Sequence, residues 1–285
     1  MIHKAVIPAA GFGTRMLPAA KAVPKELLPI LDRPVLQYVI EEIAAAKIGE
    51  AVVITSPQKG AIESHFSHDA RLDERLSKGN KQKLLQSVYD VIAQVKMTYV
   101  DQLEQNGLGH AVLCAAEAVG DKPFLCLLGD TIFSGDVLPA TQLVRAYEKY
   151  GTSVIGLELV PEEKVERYGI VAGEEVEPGV FRLTQLIEKP KREIAPSRMA
   201  VAARYLLSPG IFECLRETQR DRNGEIQLTD GLQKLLAREQ MHGVVMSAKR
   251  HDVGNPLDWL KTNLIFAAKD KTLWSALQPL LRDLQ

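Results

Sequence analysis

The chain has 285 residues, of which 46% are hydrophobic and 25% are charged, as expected for a globular protein with a sizeable core. Its formal net charge of −1 excludes the clustered basic surface that nucleic acids require, so no nucleic-acid partner is predicted. No apolar run reaches the roughly 18 residues of a membrane span, and the N-terminus lacks an apolar leader. We therefore predict a cytoplasmic protein without a membrane partner, whose three cysteines are reduced and buried.

Strand and helix patterns alternate along the first half of the chain, which predicts a mostly parallel sheet with helices on both faces. Residues 5–8 form a short apolar strand that leads into a glycine-rich loop, and recurring prolines exclude a helix across residues 16–33. The next helix begins at Pro34 and ends before Gly49. Further strands are predicted at 51–55, 97–101, 124–128 and 152–159, and further helices at 70–96, 109–119 and 136–150.

A different pattern follows after about residue 160 and predicts a smaller β-rich insertion. Residues 168–190 indicate a β-hairpin whose turn lies at Glu177-Pro178-Gly179. The remaining predicted elements are a strand at 200–207, helices at 208–217 and 228–238, a strand at 243–249, a turn at 251–256 and two C-terminal helices. With no internal repeat or linker, the pattern predicts one continuous α/β body.

The glycine-rich loop is the first motif that carries chemistry. It reads Ala-Ala-Gly-Phe-Gly-Thr-Arg at residues 9–15 and is followed by Pro-Lys-Glu at 24–26. A glycine pair alone fits a simple turn as well as a phosphate site, but here Arg15 and Lys25 lie on proline-stiffened segments suited to anionic oxygens. No Gly-Lys-Ser/Thr follows, and Gly-x-Gly-x-x-Gly is not completed, so neither the P-loop nor the dinucleotide fingerprint is present.

The whole string resembles the signature of the sugar nucleotidyltransferases, and within them it is most similar to the bacterial UTP–glucose-1-phosphate uridylyltransferases. The resemblance continues along nearly the entire chain. The other segments that carry it lie at residues 102 and 107–111, 127–130, 168–169, 188–190, 204–205, 224–230 and 251–255.

The resemblance implies one nucleotidyltransferase domain over residues 1–285 with a Rossmann-like, mostly parallel mixed sheet flanked by helices and a smaller β-rich insertion. A nucleotide-binding half would occupy about 1–160, a sugar-binding half about 161–255, and C-terminal helices about 256–285. The implied reaction transfers a uridylyl group from UTP to glucose 1-phosphate, giving UDP-glucose and pyrophosphate. The sugar phosphate would attack the α-phosphate directly, assisted by Mg²⁺, in a homodimer or homotetramer.

The implied site residues fall into four groups. Arg15, Lys25 and Lys189 would be the catalytic cations, and Gly169 and Glu188 would bind the sugar. Asp130 and Asp252 would hold Mg²⁺. The implied nucleotide-binding residues are Ala10, Gly11, Gly13, Glu26, Gln102 and Gly107.

Simple electrostatics supports these roles. Two unit charges about 4 Å apart repel by roughly 4 kcal/mol at an effective dielectric near 20, so a triphosphate and a sugar phosphate meet only among cations. Asp130 ends a strand, where open α/β sheets bind ligands. A phosphate monoester is already mostly dianionic at neutral pH, so no general base is predicted, and His110 and His251 are given structural roles. The Gln102 amide is expected to offer a donor and an acceptor to a uracil edge.

Three alternatives remain open. A thymidylyltransferase would share the first signature and both aspartates, although Gly-Leu-Gly-His at 107–110 and His-Asp-Val-Gly-Asn at 251–255 favour the uridylyl branch. Another hexose 1-phosphate is a second alternative. A catalytically silent nucleotide-sugar sensor is the third, and the presence of all the charged residues argues against it. One departure from the resemblance is Ala203, where glycine is frequent.

Overall fold

A nine-stranded mixed sheet forms the centre of the protein in a computed structural model that describes residues 2–283. The strands are β1 (Lys4–Pro8), β2 (Pro29–Ile30), β3 (Arg33–Pro34), β4 (Glu50–Thr55), β5 (Lys96–Asp101), β6 (Phe124–Leu127), β7 (Thr131–Ser134), β8 (Ser153–Leu159), β9 (Gly169–Glu177), β10 (Val180–Glu188), β11 (Met199–Leu207), β12 (Met241–Val245) and β13 (Lys249–Asp252). The α-helices are α1 (Val35–Ala45), α2 (Gly60–His65), α3 (Ala70–Lys78), α4 (Gln86–Gln94), α5 (Leu108–Cys114), α6 (Ala116–Val119), α7 (Pro139–Tyr150), α8 (Gly210–Arg216), α9 (Leu228–Leu236), α10 (Pro256–Lys269) and α11 (Lys271–Asp283).

The strand order of the large sheet is β5-β4-β1-β6-β11-β8-β12-β10-β9. Strands β5, β4, β1 and β6 run parallel, whereas β11 is antiparallel to both of its neighbours, β6 and β8. Strand β9 pairs with β10 and also with β11, so the second part of the sheet closes on itself. The predicted fold class, an α/β mixed sheet with a β-rich insertion, is confirmed.

Both faces of the sheet are covered, which explains why its central strands are continuous apolar runs. Ala5 and Ile7 of β1 point into one core together with α1 and α7, whereas Val6 points into a second core beneath α5, α8 and α9. Within residues 2–283, no helix is long and apolar enough to cross a bilayer.

Two helix predictions differ from the structure in detail. The helix predicted at 70–96 is two helices, α3 and α4, separated by Gly79 and by Asn80, which has a φ of 54°. Asn80 ends the helix because asparagine is one of the few residues besides glycine that tolerate the left-handed conformation. The helix predicted at 109–119 is divided at Ala115 into α5 and α6. The proline-rich segment 16–33 contains no α-helix, as predicted.

Two short strands lie outside the prediction. Strands β7 and β13 pair in antiparallel register, with Thr131 opposite Asp252. The strand predicted at 243–249 ends at Val245, and part of the predicted turn at 251–256 belongs to β13. Each strand has only four residues, and its strand partner lies more than a hundred residues away in the chain.

A bulge in β11 directs a charged side chain into the core. Ala203 has a φ of 59°, and the register with β8 shifts between Val201 and Tyr205. Arg204 is therefore fully buried, where its guanidinium donates to Glu42 of α1 at 2.9 Å. A glycine at position 203 would adopt this conformation without the strain that an alanine incurs.

Candidate active site

A cleft of about 590 Å³ opens along the carboxyl ends of β1 and β6, where open α/β sheets bind ligands. The residues that line it are Pro8, Ala10, Gly11, Phe12, Gly13, Thr14, Arg15, Lys25, Glu26, Gln102, Gln105, Gly107, Leu108, Ala111, Leu128, Asp130 and Glu225. Nine of the thirteen predicted site residues are therefore in one cavity.

The glycine-rich loop forms one wall of the cleft. Gly13 has a φ of 65°, and a Cβ placed on it would lie 3.3 Å from the Lys25 side chain, so glycine is required there on two counts. Gly11 is different, because a Cβ placed on it would meet no atom within 4 Å. The conformation of the free protein does not explain Gly11, whereas close approach of a ligand would.

Lys25 and Asp130 face each other across the floor of the cleft, with Nζ 2.5 Å from Oδ2. Burial opposes a charge on either group, but their mutual attraction outweighs it. The pKa of Lys25 is consequently raised, chiefly by Asp130 and then by Glu26. The pKa of Asp130 is lowered by Lys25 and, more weakly, by Arg15. Both groups are therefore charged near neutral pH and ready for ionic ligands.

Lys59 is a buried cation that the sequence analysis did not single out. Its Nζ donates to the Ala9 carbonyl oxygen at 2.6 Å and to Glu26 Oε2 at 2.9 Å. Burial lowers the pKa of Lys59 and raises that of Glu26, and each ion moderates the shift of the other. Lys59 thereby joins the glycine-rich loop to the Pro-Lys-Glu segment. Its position, in the loop after strand β4, was the available signal, because parallel strands end at the same edge.

Strands β7 and β13 bring Asp252 close to Asp130. The Val253 amide donates to the Asp130 carbonyl oxygen at 3.1 Å, and Asp252 Oδ1 accepts from the Gly254 amide at 2.9 Å. Arg15 reaches the same place: a Cβ placed on Gly254 would lie 2.9 Å from Arg15 Nη2 and 3.1 Å from Asp252 Oδ1. Two carboxylates and one guanidinium thus converge beside the cleft.

Gln102 follows the last residue of β5 and lines the cleft, and only 3% of its surface is exposed. Its Nε2 donates to the Gly107 carbonyl oxygen at 3.2 Å and lies 2.9 Å from His110 Nδ1. Both amide hydrogens are therefore engaged within the protein. The expectation that Gln102 offers a donor as well as an acceptor to a base is wrong, because only the oxygen is left.

The predicted sugar-binding residues form a second group on the hairpin β9–β10. Gly169 stands opposite Glu188 in the strand register, and Lys189 Nζ lies 2.7 Å from Glu188 Oε1. Thr229 Oγ1 donates to the other carboxylate oxygen of Glu188 at 2.7 Å. Gly169, Glu188, Lys189 and Asp252 do not line the 590 Å³ cleft.

The segment 225–229 connects the two groups. The Gly109 amide donates to the Ile226 carbonyl oxygen, and the Ile226 amide donates to the Asn106 carbonyl oxygen, both at 2.8 Å. Glu225 consequently lines the cleft, while Thr229, four residues later, contacts Glu188. Sequence analysis found residues 224–230 among the segments that carry the resemblance but named none of them as a site residue.

Comparison with known proteins agrees with this geometry. The family described as "Nucleotidyl transferase" matches residues 4–269. The UTP–glucose-1-phosphate uridylyltransferase of Bacillus subtilis is 43% identical and covers 99% of this chain and 97% of its own length. UTP–glucose-1-phosphate uridylyltransferase 1 of Staphylococcus saprophyticus is 44% identical, with 94% of each chain covered.

Solved structures give the same result. A UDP-glucose pyrophosphorylase complexed with UDP-glucose superimposes with a TM-score of 0.88 at 36% identity, covering 95% of this chain and all of that chain. Sequence and structure therefore agree on the assignment predicted from the motifs. The chain belongs to the nucleotidyl transferase family.

Proposed function

We propose that the protein transfers a uridylyl group from UTP to glucose 1-phosphate, giving UDP-glucose and pyrophosphate. The observation that carries the proposal is the pairing of Lys25 with Asp130 below the glycine-rich loop, in a cleft that also contains Arg15. The relatives at 43% and 44% identity, with nearly full coverage, are named for this reaction.

The residues of the chain fit the chemistry of a direct displacement. A phosphate oxygen of the sugar phosphate forms a bond to the α-phosphorus of UTP, and the bond from that phosphorus to the β-phosphate bridge breaks. Pyrophosphate leaves with the electron pair. Arg15 and Lys25 offset the charge of the triphosphate, and Lys189, on the sugar side, offsets that of the sugar phosphate.

We propose Mg²⁺ as the cofactor, held by Asp130 and Asp252. Carboxylate oxygens suit this hard cation, and the β7–β13 pairing brings the backbones of Asp130 and Asp252 together beside the cleft. Mg²⁺ commonly takes one or two carboxylates from the protein and its other ligands from water and substrate phosphates. When bound, the ion would neutralise charge that develops on the phosphates.

The remaining parts of the proposal concern organisation. Residues about 1–160 form the nucleotide-binding half and about 161–255 the sugar-binding half of one functional unit, which assembles as a homodimer or homotetramer. The protein works in the cytoplasm, where a reducing environment keeps thiols free. Cys114, Cys126 and Cys214 are free and lie partly or fully buried, which supports that location.

A pyrophosphate-release assay tests the reaction. UTP with glucose 1-phosphate should give the highest rate, dTTP a measurable but lower one, and ATP and GTP values near background. EDTA should abolish turnover and Mg²⁺ should restore it. A preference for dTTP over UTP at equal concentration would replace the uridylyl assignment with the thymidylyl one.

The Asp130→Asn variant tests the site itself. Loss of the carboxylate charge should lower kcat by about 10²–10³-fold, because one partner of Lys25 and of the cation is removed. The exposed Asp136→Asn is the matched control and should keep full activity. Binding of Mn²⁺, followed by electron paramagnetic resonance, should weaken in Asp130→Asn but not in Asp136→Asn. Full turnover by Asp130→Asn would place the cation elsewhere.

A further inference from the structure

The hydrogen-bonding state of the Gln102 amide has a consequence for the choice of nucleotide. A carbonyl oxygen can only accept, so the group that faces Gly107 O at 3.2 Å is the NH₂ end of the amide. The first of two anchors for the orientation of Gln102 is thus a backbone atom. The Gly107 carbonyl oxygen also accepts from the Ala111 amide at 3.1 Å, at the start of α5. Gly107 has a φ of 94°, and a Cβ placed on it would lie 2.8 Å from Ile226 O, so the position requires glycine.

His110 occupies the second hydrogen of the same NH₂ group. Nε2 of Gln102 can only donate, so the His110 Nδ1 atom, at 2.9 Å, accepts, and the ring is the neutral tautomer that carries its hydrogen on Nε2. Gly107 and His110 together use both hydrogens of the amide. Within residues 2–283, no group donates to Gln102 Oε1, and this oxygen is not among the enclosed polar atoms without a partner.

We infer that His110 is a positioning residue for base selection, which sequesters the last free N–H of Gln102 so that only an acceptor oxygen faces the nucleotide. This inference rests on the proposed function. Uracil and thymine carry a hydrogen on N3 and satisfy such an oxygen. Cytosine carries a lone pair on N3, so two acceptors would face each other at that position.

The energetic argument follows from the cost of an unmatched polar group. A site built to accept from a donor rejects an analogue that lacks it, because the buried oxygen is left unpaired. Without His110, the amide keeps a single anchor, the Gly107 carbonyl oxygen, and can turn more readily, so that an N–H meets a base with an acceptor edge. The prediction is therefore a gain of activity toward CTP, which structural damage would not produce.

The test measures kcat/KM for UTP, CTP and dTTP, with glucose 1-phosphate and Mg²⁺ saturating, in the wild type and two variants of His110. In His110→Ala the UTP-to-CTP ratio should fall by about tenfold, mainly through a higher value for CTP. In His110→Asn the ratio should be retained, because the Asn side-chain oxygen still accepts near the position of Nδ1. The UTP-to-dTTP ratio should be unchanged in both, since the two bases share the edge.

Two controls separate the possible failures. His242→Ala removes a buried histidine of β12 that contacts Thr152 and should lower stability without moving the UTP-to-CTP ratio. Absence of UTP turnover in the wild type would refute the proposed function. UTP turnover with an unchanged ratio in His110→Ala, or an equal fall in His110→Asn, would refute the role of His110 alone.

Discussion

Two glycines of the cleft show how one residue type meets two requirements. Gly107 has a φ of 94°, and a Cβ there would lie 2.8 Å from a backbone oxygen, so Gly107→Ala should lower the free energy of unfolding by about 2–4 kcal/mol. Gly11 has open space around its missing Cβ, so Gly11→Ala should change stability by less than about 1 kcal/mol. Urea unfolding of the two variants makes the comparison.

Gly11→Ala should affect the kinetics more than the stability. Gly11→Ala should raise KM for UTP by at least tenfold, because its methyl group would occupy the space that a phosphate approaches. An unchanged KM together with wild-type stability would remove Gly11 from the nucleotide site.

Lys189 offers a second test at this scale. Its side chain is 56% exposed and pairs with Glu188, so Lys189→Ala should cost less than about 1 kcal/mol of stability. The KM for glucose 1-phosphate should nevertheless rise by about 10- to 100-fold, with UTP affected much less, because the sugar phosphate loses its cation. The exposed Lys191→Ala is the matched control. Equal losses toward both substrates would contradict the division between the two lysines.

The sequence predicts the role of a single residue only when that residue belongs to a distinctive local motif. Lys25 and Asp130 stand in distinctive strings and were found from them. Lys59 stands in an ordinary loop and acquires its role from atoms contributed by Ala9 and Glu26, which only the folded chain brings within reach. The engaged donor of Gln102 is likewise a property of its neighbours, so composition could not indicate it.

Helix α1 and strand β11 are joined by an ion pair with no contact to water. Glu42 accepts from Arg204 through both oxygens and also from the Ala140 amide at the start of α7. Glu42→Gln would leave a buried guanidinium without its charge partner and should lower the free energy of unfolding by about 3–5 kcal/mol. Thermal and urea unfolding measure the loss.

The neighbouring Glu41 provides the control for this prediction. It pairs with Arg33 at the surface, so Glu41→Gln should cost less than about 1 kcal/mol. A comparable cost for the two variants would mean that the buried pair contributes no more than the exposed one.

Elements with strong local patterns were predicted well, and those that depend on distant partners were not. The apolar strands β1, β4 and β6 and the amphipathic helix α7 follow from periodicity. Strands β7 and β13 have four residues each, too few for a periodicity of their own, and become recognisable as strands only when they pair with each other. The pairing nevertheless decides where Asp252 lies, so the sequence indicated the residue but not its neighbour.

Stability of the whole molecule should depend on pH through His242. This side chain is buried, stacks on Tyr150 at 4.2 Å and contacts Thr152. Burial, and then Arg182, lowers the pKa of His242 below its ordinary value of 6.5. His242 therefore binds a proton more tightly in the unfolded chain than in the folded protein. The free energy of unfolding should consequently fall as the pH decreases below about 6.5.

Comparison of the wild type with a His242→Asn variant isolates the contribution of His242 to the pH dependence of stability. Between pH 7.5 and pH 5, Tm should fall further for the wild type than for His242→Asn, which keeps a hydrogen-bonding group but does not titrate. The exposed His68→Asn should behave like the wild type. An identical pH dependence for wild type and His242→Asn would show that the buried ring is protonated without penalty.

The pairing of β9 with β11 also affects which edges of the large sheet are open to aggregation with other chains. A sheet edge offers unpaired backbone groups to other chains and can seed aggregates. Strand β9 pairs with β11 at Ile170 and Val171, so this part of β9 has partners on both sides, whereas β5 is open along its whole length. Lys96 and Asp101 place a charge at each end of that strand, and such charges oppose the addition of a further strand. The topology thus covers only the first part of the β9 edge against amyloid-like pairing, whereas the nucleotide half depends on two surface charges.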